Sequence, residues 1–152
     1  VPSPDEVIDT MLRLARVTSD DVVFDLGCGD GRIVIAAARK FGARGVGIDI
    51  EPERIREAIE AAKATGVAGR TRFLEQDLHH ANVSEATVVT LYLFTQEIEK
   101  LKPRLLEQLK PGSRIVAYQF NGMGSWRPKQ IVRKHRHPVF LWVVPRPRPA
   151  RT

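Results

Sequence analysis

The chain has 152 residues, 43% of them hydrophobic, with one cysteine, which is enough for one domain built on one core and leaves no room for a second. A single cysteine excludes an internal disulfide framework, and no apolar run approaches the length of a membrane span. The formal charge is +6 but unevenly placed: after Glu107 there is no acid, while ten bases follow from Lys110 to Arg151, a polarity that fits an anionic partner or, equally, a solvated basic face.

Ser3-Pro4-Asp5-Glu6 predicts a helix start, since Ser3 can cap, proline suits the first helical position and Glu6 completes a capping box. Val7, Ile8, Met11, Leu12 and Leu14 mark its buried side. Residues 22–26 form a short β-favouring run that enters the loop Gly27-Cys28-Gly29-Asp30-Gly31. An alanine-rich helical pattern follows over 32–41, closed by Gly42. Residues 45–49 read as a second strand, 51–64 as a third helix stopping near Gly66, and 70–76 as a third strand with Asp77 at its end. The segment 83–94 holds a nearly continuous apolar run at 88–93, as a central parallel strand buried on both faces requires. Residues 97–109 predict an amphipathic helix interrupted near its start by Pro103, 113–120 a fifth strand, and 121–125 a loop. The runs 130–134 and 139–144 lie close enough for a closing hairpin with the last strand antiparallel. This alternation predicts a doubly wound α/β sheet over residues 1–145. A basic Pro/Arg tail at 146–152 is expected to be disordered, because its prolines cannot donate ladder hydrogen bonds.

The glycine loop sits at the carboxyl end of a strand, where open α/β sheets bind ligands. Glycines there permit positive φ and close approach of a ligand to the backbone. A dinucleotide fingerprint is partly met by Gly27-x-Gly29 and by Asp49, an acid about 20 residues on. Its spacing fails, because the third glycine comes one residue early and Arg32 stands at the required position. Asp25 and Asp30 would also repel a pyrophosphate. A cation suits the loop better. S-adenosylmethionine carries an ammonium and a sulfonium, and its ribose hydroxyls suit the carboxylate of Asp49.

Asp25 to Gly31 completes the pattern Asp-x-Gly-x-Gly-x-Gly. Asp49 and Asp77 follow strands two and three, and Leu-Lys-Pro-Gly-Ser-Arg-Ile-Val at 109–116 leads into strand five. On these residues the chain resembles the class I, seven-β-strand S-adenosylmethionine-dependent methyltransferases. The resemblance implies a Rossmann-like seven-stranded sheet, mostly parallel with an antiparallel last strand. It also implies S-adenosyl-L-methionine as cofactor, held by Ser3, Asp25, Gly27, Cys28, Gly29, Gly31, Asp49, Ile50, Asp77 and Leu78, with Asp49 on the ribose and Asp77 on the adenine amino group. Cys28 reads as a small residue that fits.

Methyl transfer is an in-line displacement that needs proximity, alignment and exclusion of water more than a dedicated acid or metal. The end of strand four lacks the Asn/Asp/Ser-Pro-Pro-Tyr/Phe motif of amino-directed DNA methyltransferases, and the chain has no Pro-Cys nucleophile for cytosine carbon. The core sheet nearly exhausts the chain, so an open site suited to a protruding lysine is expected. Residues 1–7, 25–32, 84–93, 101–103 and Trp126-x-Pro128 are similar to the small protein-lysine methyltransferases of archaea and bacteria. Their mitochondrial relatives modify the c subunit of ATP synthase and the adenine nucleotide translocator. A histone lysine methyltransferase of the Dot1 kind is more distantly similar. Two departures fall near the substrate mouth: Gln119 stands before Phe120 where relatives often carry an acid, and an asparagine frequent near Ile98 is missing.

The resemblance thus implies transfer of a methyl group to the side-chain amine of lysine on a protein substrate. Tyr92 is the catalytic candidate, with a core-packing role as its alternative. Adjacent His79 and His80 lack a supporting cysteine or acid cluster and read as a polar loop rather than metal ligands; no metal site is expected. His135 and His137 read as exposed strand or turn positions. Two other classes remain: an RNA methyltransferase using the basic C-terminal region, and a noncatalytic S-adenosylmethionine-binding module. No signal peptide is visible, so a cytoplasmic location is expected, with a trimmed targeting or anchor segment the open alternative because the chain begins at Val1. The sequence leaves oligomeric state open.

Overall fold

Strands that are apolar on both faces must be covered on both sides, and the computed structural model, which describes residues 5–146, is built around such strands. The strands are β1 (Val22–Leu26), β2 (Arg44–Asp49), β3 (Thr71–Glu75), β4 (Val88–Leu91), β5 (Arg114–Tyr118), β6 (Gln130–Val132) and β7 (Val139–Val143). The helices are α1 (Asp5–Leu14), α2 (Arg32–Phe41), α3 (Pro52–Ala64) and α4 (Thr95–Gln108). One sheet runs β3-β2-β1-β4-β5-β7-β6. Its first five strands are parallel, and β7 is antiparallel to both β5 and β6. Ser3 and residues 147–152 of the tail lie outside the described residues.

Alternation along each strand divides the core into two layers. Phe24, Leu26, Leu91 and Trp142 meet Ile98, Leu101 and Leu105 of α4 on one face. Val23, Val88, Val116 and Leu141 meet Met11 and Leu12 of α1 and Ile33 of α2 on the other. Ala62 of α3 joins Ile35 and Ala38 of α2 in a smaller cluster. The carboxyl ends of the parallel strands therefore share one rim.

Several expectations are corrected. Tyr92 and Leu93 lie beyond β4, which ends at Leu91. Helix α4 starts at Thr95 and runs unbroken through Pro103. Proline removes the bond to the carbonyl four residues earlier, but Pro103 and Glu99 are both exposed, so that carbonyl can face water. Leu14 is half-buried. His135 and His137 are half-buried rather than exposed. The His135 Nε2 lies 2.7 Å from Thr10 Oγ1, and the His137 ring packs edge-on against Tyr118 at 5.8 Å.

Candidate active site

The loop after β1 is held by backbone donors. The amides of Gly27 and Cys28 donate to the Ile48 carbonyl at 2.8 and 2.9 Å. Gly31 heads α2 in the left-handed region, with φ of 83°. A Cβ on Gly31 would lie 2.9 Å from both Ala58 and Phe73, so only glycine lets α2 start this close to β3 and α3.

Asp49 joins the loop to the next strand. Its Oδ2 accepts the Gly29 amide and its Oδ1 the Glu51 amide, both at 2.9 Å. A carboxylate offers about four lone-pair positions, so each oxygen keeps capacity for a hydroxyl. Asp25 lies behind the loop, 2% exposed, and accepts the Thr90 hydroxyl at 2.9 Å. Burial pushes the Asp25 carboxyl up to about 7; the Thr90 hydrogen bond opposes this, and the charges of Asp49 and Asp30 add to it. The Cys28 thiol is pushed far above its ordinary range by burial and then by Asp25 and Asp49, which leaves it protonated and unreactive.

A cavity of about 520 Å³ runs from this loop across the rim, within the usual size for a small-molecule site. Asp25, Gly27, Cys28, Gly29 and Asp30 form one end. Tyr92, Phe94, Tyr118 and Phe120 form the other. Tyr92 stacks on Tyr118 with centroids 5.4 Å apart, and Phe94, 70% exposed, tilts against Phe120 at 5.2 Å. Glu97 lines the same mouth, its Oε2 2.5 Å from His79 Nε2.

This is one glycine-lined pocket, bearing Asp25 and Asp30 beside Arg32 and Arg54, continuous with an aromatic mouth. The profile of the ANTKMT methyltransferase domain matches residues 25–130, a span that holds the loop, Asp49, Asp77 and Tyr92. The chain belongs to the ANTKMT methyltransferase family. A protein-lysine N-methyltransferase from Saccharolobus islandicus (strain REY15A) is 44% identical over 95% of this chain and 92% of its own. A human lysine N-methyltransferase of the ATP synthase C subunit is 30% identical over 86% of this chain but only 55% of its own length. An RNA methyltransferase from Salinibacter ruber, solved with S-adenosyl-L-homocysteine, is 50% identical with a TM-score of 0.95, covering 98% of this chain and 97% of that one.

Within this ANTKMT domain the remaining expected cofactor residues are spread along the rim. Ile50 is 63% exposed just past β2. Leu78 packs half-buried against the core. The Asp77 carboxylate accepts the His79 amide at 2.9 Å and borders a second depression with Arg72 and His80 rather than the main cavity. Tyr92 both lines the mouth and packs against the α1 side of the core, so its two readings coexist. Sequence reasoning missed Thr90, Phe94, Glu97 and Tyr118. Only the places of Thr90 and Tyr118 near the carboxyl ends of β4 and β5, and of Phe94 and Glu97 where the chain passes from β4 into the first turn of α4, could have flagged them.

Proposed function

We propose that this protein transfers a methyl group from S-adenosyl-L-methionine to the side-chain amine of lysine on a protein substrate. The observation that carries it is the single cavity joining the glycine loop to an open aromatic mouth, in a chain closely similar over its length to a protein-lysine N-methyltransferase. S-adenosylmethionine supplies the methyl group on a sulfonium. The loop fits it: a Cβ on Gly29 would meet nothing within 4 Å, Asp25 and Asp30 favour its positive charge, and Asp49 has lone pairs to spare for its ribose.

The chain's part in the chemistry is to prepare the amine. Free lysine has a pKa near 10.4, so at pH 7 only about one in several thousand is neutral and nucleophilic. The ring faces of Tyr92, Phe94 and Phe120 desolvate the side chain, and desolvation lowers an amine's pKa. The lysine proton leaves to solvent before transfer. Tyr92 can orient the nitrogen through its hydroxyl, and the half-exposed Glu97 attracts the ammonium to the mouth.

Tritiated methyl labelling of extract from cells lacking the enzyme tests this, read by mass spectrometry after protease or nuclease digestion. Methyl groups on lysine are expected, at a rate that rises with pH. The second reading, methylation of RNA, draws on the basic C-terminal residues and on the Salinibacter relative. Label on RNA with none on lysine would establish it in place of the first.

A further inference from the structure

The β6–β7 loop, Arg133-Lys134-His135-Arg136-His137-Pro138, is a second feature of the catalytic rim. It is joined to the mouth at two places. The Gln119 amide donates to the Pro138 carbonyl at 2.8 Å, and His137 packs edge-on against Tyr118; Tyr118 and Gln119 both line the cavity. Between these anchors and the strand, Arg133, Lys134 and Arg136 are exposed, and none forms an ion pair among the described residues.

The cofactor end of the cavity carries both signs, Asp25 and Asp30 beside Arg32 and Arg54, with Asp30 paired to Arg32 at 2.9 Å. At the aromatic mouth the lining acid is Glu97, on the α4 side. On the β5–β7 side the cavity is lined by Tyr118, Gln119 and Phe120, and beyond them stand the three loop cations. The acid-bearing side suits a lysine ammonium. The opposite side suits negative charge a short distance along the same substrate.

We propose that the β6–β7 loop selects lysines flanked by aspartate or glutamate, with Arg133 and Arg136 holding the acidic flank while the lysine enters the aromatic mouth. This rests on the lysine reading above. A protein segment fits better than a nucleic acid, because Asp5, Glu6 and Asp9 of α1 border the same depression as Lys134 and His135. They interrupt the basic surface that a phosphate backbone would have to follow.

The test is a chymotryptic digest of a whole proteome, offering many lysines with varied flanks, alongside the undigested extract. Both are methylated by the parent, by Arg133→Glu/Arg136→Glu and by Arg133→Lys/Arg136→Lys, and the sites are ranked by mass spectrometry. Two exposed charge contacts correspond to a preference of about three- to tenfold. The parent and the lysine variant are expected to favour lysines with acids within five residues by about that factor. The glutamate variant is expected to lose or reverse the preference with unchanged cofactor affinity and melting temperature. Lysine methylation with the same flanks for all three proteins would overturn the docking role and leave the proposed function standing. Methyl groups on RNA and on no lysine would overturn both.

Discussion

Asp25 is the residue whose environment says most. A carboxyl raised to about 7 by burial holds a proton in the folded state that the unfolded chain has already lost. The resulting stability is complete below about pH 4 and falls as pH rises through 7. A bound cation reverses the preference, since it favours the ionised form. Asp25→Asn keeps an acceptor for Thr90, so melting curves at pH 5 and pH 8 are expected to show the parent losing stability and the variant holding it. Calorimetry is expected to show parent cofactor affinity rising through pH 7 and the variant weak throughout; parallel behaviour would refute the assignment. For Asp49→Ala, loss of a charged hydrogen-bond partner corresponds to about 1.5 to 3 kcal/mol, or ten- to a hundredfold in cofactor affinity. Unchanged binding in a folded variant would remove Asp49 from the ribose. Tyr92→Phe retains the ring that stacks on Tyr118 and lacks only the hydroxyl. Turnover is expected to fall with cofactor affinity nearly intact, and equal kcat would leave Tyr92 a packing residue.

At the scale of elements, the end of the sheet away from the site is held by a clamp. Arg114 at the start of β5 pairs with Asp21, which leads into β1, and also donates to the Ala15 carbonyl beyond α1 at 2.8 Å. Asp21 is 6% exposed and accepts the Thr87 hydroxyl before β4 at 2.7 Å. Burial acts to raise its carboxyl, but the Arg114 and Thr87 hydrogen bonds outweigh it and the net shift is downward. A lowered carboxyl contributes stability above its ordinary value of 3.8 that is lost as pH falls below it. Arg114→Met strands a buried carboxylate and is expected to cost about 3 kcal/mol at neutral pH, with a smaller loss on acidification than the parent shows. Denaturant titrations at pH 7 and pH 3 measure both. The clamp aligns β1, β4 and β5 at one end, so their other ends meet in register at the site. Register is also what makes the acid useful, because Asp25 lies opposite Thr90 across the β1–β4 pair.

For the molecule as a whole, two core layers share one sheet, so neither can melt alone. Trp142, fully buried and donating its indole N–H to the Trp126 carbonyl at 3.0 Å, reports the α4 side. Far-UV circular dichroism is weighted to helices that lie mostly on the other side. Coincident thermal transitions by fluorescence and dichroism are expected; separated midpoints would mean the layers unfold independently. The amino-acid sequence by itself determined the order of strands and helices, the glycine loop between β1 and α2, and the acids at 25 and 49. Those features are carried by local hydrophobic period and by glycine spacing, which act within a few residues. It misplaced the end of β4, the start of α4 and the burial of His135 and His137, where tertiary contacts override local preference. Only the tertiary structure decided the aromatic mouth, the Thr90 partner of Asp25 and the nearness of the basic loop to the acceptor. Pairing of β4 with β5 and of β5 with β7 brings Tyr92, Tyr118 and His137 together. Strands spaced about 4.8 Å apart impose that closeness on residues distant in the chain, and no local pattern encodes it.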